Sequence, residues 1–277
     1  MLAHGGSARW DQLVREAVSQ ADLSVPVEVA FGMGMHQEEV NRFQQAVDRL
    51  EQQHIDQLIV VPLLISSVSE VMRQFEYLMG LRDHGPWEKD VRPVLRHVPV
   101  MITAALDDDP VVSEVLLDRI RDLSRSPADE TVVLVAHGPV SDEDNAHWLE
   151  HMQSIARRLR IAGRFQSVVP VTMRDDAPEL VQQTATRQMR EIVERASRQG
   201  PVLVVPLLLA SGGIEEKIPQ RLKGLKYEYQ GLTLLPHPKL SKWIAERVQA
   251  VSTALPLMSD DVKLVPAGSS GESVVIQ

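Results

Sequence analysis

The chain has no cysteine, only 4% aromatic residues and no surplus of basic charge. Nor does any apolar run approach the roughly 20 residues that cross a bilayer as a helix. Each absence excludes a chemistry. Without cysteine there is no disulfide, no thiolate nucleophile and no thiolate metal ligand, so any metal must rest on nitrogen or oxygen. A formal net charge of −9 and a pI near 5.5 argue against nucleic acid as a partner, because affinity for a phosphate backbone rests on clustered Lys and Arg. What remains is a chain of 277 residues with 44% hydrophobic content, enough for two ordinary soluble domains.

The chain states one pattern twice. Each half opens with a strand ending in Ala-His-Gly, at Ala3-His4-Gly5 and Ala136-His137-Gly138. Each half then runs through Val-Val-Pro-Leu-Leu, at Val60 to Leu64 and Val204 to Leu208, and closes on Asp109-Pro110 or His237-Pro238. Order is kept while loop lengths drift, so two copies of one unit are expected: a first lobe over 1–126, a second over 127–255 and a disordered tail over 256–277 rich in Ser, Asp, Gly and Pro. The first strand is short beside its counterpart Thr131 to Ala136, which leaves room for residues upstream of Met1; the expectation is a cytoplasmic protein, with export left open.

Short β-rich runs alternate with helical patterns, the signature of βαβ units and a mainly parallel sheet. The first half predicts strands over 2–4, 25–31, 57–64 and 94–102, with helices over 7–21, 36–53, 67–81 and 110–125. The second predicts strands over 131–137, 166–172, 202–208 and 227–235, with helices over 141–160, 178–198, 214–222 and 238–252. Residues 82–93 read as a surface connection and 126–129 as the linker. The expected fold class is therefore α/β: two similar lobes, each a small mainly parallel sheet flanked by helices, with a cleft between them.

Candidate chemistry gathers where strands end, because ligands of open α/β sheets bind beyond the carboxyl ends of the strands. His4 and His137 are delivered there, each before a glycine that permits a sharp turn. Neutral imidazole is a common ligand for divalent metals and a base near neutral pH. Ser66, Ser67, Ser211, Gly212 and Gly213 sit where the third strand meets its helix, a place for free amides and hydroxyls suited to anionic carboxylates. Arg174, with Asp175 and Asp176, occupies the same rim; the arginine is a candidate partner for a substrate carboxylate, weighed against a solvated loop.

Taken together, Ala-His-Gly closing the first strand, Val204 to Gly213, Lys217-Ile218-Pro219 and Pro236-His237-Pro238 resemble the sirohydrochlorin cobaltochelatase and ferrochelatase family, the class II tetrapyrrole chelatases. The resemblance covers nearly the whole chain. It implies a lyase that inserts Co²⁺, Fe²⁺ or Ni²⁺ into a reduced, carboxylate-rich tetrapyrrole held between the halves, in cobalamin or siroheme biosynthesis, with the metal as substrate and no organic cofactor. It also implies that His137 or His4 binds the incoming metal and helps remove pyrrole protons. The chain departs from the family at the usual second histidine. Members commonly carry a second histidine after the Gly-Gly pair, whereas Gly212-Gly213 here runs into Ile214-Glu215-Glu216, and Ser66 to Glu70 has no histidine either. His36, Glu70 and Glu215, all at the starts of helices on the same sheet edges, are the candidate replacement ligands beside His4 and His137. The alternative is a non-catalytic relative that carries metal or tetrapyrrole.

Two further motifs are weaker. His147-Trp148-Leu149-Glu150-His151 matches an H-x-x-E-H zinc arrangement, but these polar residues lie opposite the apolar stripe of Ala146, Leu149, Met152, Ile155 and Leu159, which reads as a surface helix. Gly32-Met33-Gly34 has no third glycine and follows the second strand, so it is not a dinucleotide fingerprint. Neither a nucleophile elbow nor a Walker loop is present.

Overall fold

A computed structural model describes residues 1–32, 36–253 and 262–265. By packing, the chain divides into two compact units, Met1–Ala105 together with the stretch from Ser241, and Leu106–Leu240. The repeat and the packing divide the chain differently: the helix closing the first repeat, α4 (Pro110–Arg121), packs against α5 (Asp142–Gly163) within the second unit.

The second unit shows the repeat most fully. Strands β6 (Thr131–Ala136), β7 (Ser167–Thr172), β8 (Val202–Leu207) and β9 (Glu228–Tyr229) form one parallel sheet in the order β7-β6-β8-β9. Every residue of β6 and β8 is buried, as expected of inner parallel strands covered on both faces and rich in β-branched side chains. On one face Val133, Val135, Val202 and Val204 pack with Met189 and Val193 of α6 (Glu179–Ser197) and Ile218 of α7 (Ile214–Arg221). Ser141 caps α5 by accepting from the Asp144 amide, and Asp142, Glu143 and Asp144 fill its first turn, where negative charge complements the helix dipole.

The first unit follows the same order. Strand β1 (Leu2–Ala3) lies between β2 (Ala30–Phe31) and β4 (Pro62–Leu63), while β3 (Leu58–Val60) pairs with β5 (Val100–Thr103). Only Val61 separates β3 from β4. Helices α1 (Ala8–Ser19), α2 (Gln37–Glu51) and α3 (Glu70–Leu78) alternate with these strands, and α8 (Pro238–Thr253) closes the second repeat. Phe43 of α2 and Phe75 of α3 meet edge-on in the core, with ring centroids 6.0 Å apart.

Of the tail expected to be disordered, residues 256–261 and 266–277 lie outside the described residues; Val262–Val265 forms β10, antiparallel to β5. Strand β2 is shorter than the predicted 25–31 because its partner β1 offers only Leu2 and Ala3. The fourth strand of the second unit, expected over 227–235, is broken: β9 ends at Tyr229, and pairing resumes where the Leu234 and Leu235 amides donate to the Leu208 and Leu209 carbonyls. Among the described residues no helix is long and apolar enough to cross a membrane.

Candidate functional site

The strand order of the second unit places β6 between β7 and β8, with chain connections leaving in opposite directions from its two sides. Its carboxyl end is therefore the switch point at which such sheets bind ligands. His137 is the first residue past that end. Gly138 follows with φ +76, and a Cβ there would meet Thr172 Cβ at 2.6 Å, so glycine is required for the turn. The His137 carbonyl accepts the Arg174 amide at 2.6 Å, tying the end of β6 to the turn after β7. The imidazole Nε2 then lies 3.5 Å from Asp176 Oδ2, a carboxylate that is 70% exposed.

The neighbouring carboxylate has a different fate. Asp175, 9% exposed, pairs with Lys217 and with Arg221, both on α7. Arg221 is fixed in turn by donating to the Met173 carbonyl at 2.8 Å. Burial pushes the Asp175 carboxyl up, but Lys217, Arg221 and, to a lesser degree, His137 outweigh it and hold the group below its ordinary 3.8. Arg174 is committed as well: its guanidinium donates to the Pro139 and Val140 carbonyls and pairs with Asp142. A substrate carboxylate would have to exchange with these partners. The turn after β7 is thus pinned on both sides, and Asp176 is left beside the histidine.

The third-strand turn carries Ser211, Gly212 and Gly213. The two glycine amides donate to Glu215 Oε2, at 3.2 and 3.0 Å, so the turn accepts a carboxylate and this chain supplies one of its own. Ser211 Oγ lies 3.3 Å from Thr233 Oγ1. The first unit repeats this last link, since Ser67 Oγ accepts the Ala105 amide at 2.8 Å. Both hydroxyls tie the third-strand turn to the segment that follows the fourth strand, β5 or β9. Ser66 is buried, its Oγ accepting the Val68 amide.

In the first unit His4 occupies the place of His137, with Gly5 at φ +81. Its Nδ1 donates to the Gly5 carbonyl at 2.6 Å. The Trp10 ring is 6.4 Å away. His36 is exposed at the start of α2 and makes no capping bond, and Glu70 pairs with Arg73 at 3.1 Å. Among the described residues no three His, Asp or Glu side chains come together as a metal-binding group. That covers the H-x-x-E-H stretch too, where His147 faces Glu150 at 3.4 Å and His151 faces Asp107 at 3.5 Å.

The profile of the CbiX family matches residues 1–123 and again 131–251. The chain belongs to the CbiX family. Both matches follow the repeat, one copy to each half. Solved structures agree on the CbiX fold. SirB from Bacillus subtilis with Fe³⁺ superposes with a TM-score of 0.68 at 18% identity, covering 94% of this chain and 97% of that one. CbiX, the terminal enzyme for biosynthesis of siroheme in denitrifying bacteria, gives 0.57 at 15% identity over 90% and 96%. DR2241 from Deinococcus radiodurans, a multi-domain protein similar to chelatases, gives 0.52 at 22% identity over 90% of this chain and 53% of that one. No curated protein matches by sequence.

The family was legible in the combination of Ala-His-Gly, Val204 to Gly213, Lys217-Ile218-Pro219 and Pro236-His237-Pro238. The separate roles of Asp175 and Asp176 were not, because Arg174-Asp175-Asp176 carries no sequence signal telling which carboxylate turns to the histidine.

Proposed function

We propose that the protein inserts a divalent metal, Co²⁺ or Fe²⁺, into sirohydrochlorin or a related tetrapyrrole. The single observation behind this reading is the placement of His137 at the switch point of a chelatase fold, with the Asp176 carboxylate 3.5 Å from its Nε2. Metal insertion replaces two pyrrole N–H protons with the ion, so the site needs a weak ligand for the metal and an acceptor for protons. An imidazole beside a carboxylate supplies both: Nε2 coordinates when neutral, and the carboxylate stabilises the ring when it carries a proton. His137 is the proposed ligand and base, and His4 its counterpart in the first half. Glu70 is paired with Arg73 and Glu215 accepts the Gly212 and Gly213 amides, so either would exchange that partner to serve as a metal ligand. The Gly212 and Gly213 amides, which bind the Glu215 carboxylate, are suited to a substrate carboxylate that displaces it.

The test mixes purified protein with sirohydrochlorin and Co²⁺ or Fe²⁺ without oxygen and follows the absorption change against a protein-free control. Acceleration is expected, with His137→Ala falling to the control rate and His4→Ala retaining activity. Full activity in His137→Ala would overturn the site. Tetrapyrrole binding without acceleration would instead identify a carrier.

A further inference from the structure

We propose that Lys217 and Arg221 keep the metal affinity of the His137 site low by holding Asp175 out of it. The inference rests on the reading that His137 meets the metal, and it concerns how firmly the metal is held.

Asp175 and Asp176 are adjacent in sequence on one turn, yet Asp176 faces the imidazole while Asp175 pairs with α7. The Arg174 amide donates to the His137 carbonyl at 2.6 Å, which ties this turn to the histidine, so one peptide unit separates the present arrangement from a site of one histidine and two carboxylates. A ligand set of that composition grips Fe²⁺ and Co²⁺ well. A chelatase must release its ion to the macrocycle, and a firmly chelated ion would stay on the protein. What withdraws Asp175 is a pair of cations on α7. Lys217 and Arg221 stand four residues apart, on one face of that helix. Both reach the same carboxylate, and Arg221 is braced by the Met173 carbonyl. Pairing on both oxygens occupies the lone pairs a metal would use and neutralises the charge that would attract it. Lys217 and Arg221 are positioning residues, acting on the metal through Asp175.

A network that only braced the fold would predict weaker or unchanged metal binding when cut. Withdrawal predicts tighter binding. The experiment titrates the full chain with Co²⁺ alone, read by calorimetry and visible absorption, with circular dichroism to verify folding. Lys217→Gln combined with Arg221→Gln is expected to bind Co²⁺ about tenfold more tightly, the scale on which outer-sphere groups alter metal affinity. It is also expected to turn over more slowly as the metal is retained. Adding Asp175→Asn should return the affinity to that of the unsubstituted chain. Should the double variant fail to fold, Lys217→Gln alone decides, since that side chain is half exposed and its loss leaves the fold intact; it should tighten binding by a smaller factor. Unchanged or weaker binding in the folded variant, or a gain that survives Asp175→Asn, overturns the proposal. By contrast, Co²⁺ binding in the otherwise unsubstituted chain that is indifferent to His137→Ala would overturn the site itself.

Discussion

The hydroxyl of Tyr229 donates to the main-chain carbonyl of Glu215 at 2.5 Å, the acceptor that Pro219 leaves without a helical partner. Pro219 lies inside α7, four residues beyond Glu215, and has no amide hydrogen to give. A strand residue therefore completes the helix that carries Lys217 and Arg221.

Tyr229→Phe should accordingly cost about 1 to 3 kcal/mol, the range for a buried polar group left unpaired. Urea denaturation measures it. An unchanged midpoint would show that water serves the carbonyl equally well.

Two histidines of the second unit should pull stability in opposite directions with pH. Burial, and then the Arg119 guanidinium, hold His237 below its ordinary 6.5, and its Nδ1 accepts the Lys239 amide at 3.3 Å, a bond available only to a ring with that nitrogen unprotonated. Its contribution is present above pH 6.5 and is lost as pH falls through the lower folded value. His151 is held above 6.5 by the Asp107 carboxylate, so its contribution is full below 6.5 and lost as pH rises through the folded value. Thermal melts between pH 5 and 8 should show His237→Gln flattening the loss on the acid side, and His151→Gln destabilising more at low pH than at high. The reverse pattern would contradict the assignment.

Gly138→Ala should destabilise by about 1 to 3 kcal/mol, because φ +76 strains any L side chain and the new methyl would press on Thr172. The same variant should weaken Co²⁺ binding by moving His137. Normal stability together with normal binding would show that the turn relaxes without cost.

The two-copy α/β plan could be read from sequence because its signals are local. Continuous β-branched runs such as Thr131 to Ala136, capping residues such as Ser141 and the glycines after His4 and His137 each specify their own conformation. Strand lengths were less legible. Whether residues 25–29 join a sheet depends on a partner far along the chain, and β1 offers only Leu2 and Ala3. The candidate site was legible as positions along the chain rather than as an arrangement. His137 and the third-strand turn could be located, but the use of Arg174 to clamp Pro139 and Val140, and of Glu215 to fill the glycine amides, depends on side chains that meet only after folding.

The sequence by itself determined that this is a duplicated βα protein with an imidazole at the end of each first strand, since periodicity, turn residues and motif order are properties of neighbours in the chain. Tertiary structure alone decided that α4 packs with α5 in the second unit, and that of two adjacent aspartates one is bound by Lys217 and Arg221 while the other faces His137. The physical reason is distance along the chain: Lys217 is 42 residues from Asp175, and no local preference can encode which of two identical side chains so remote a cation will take.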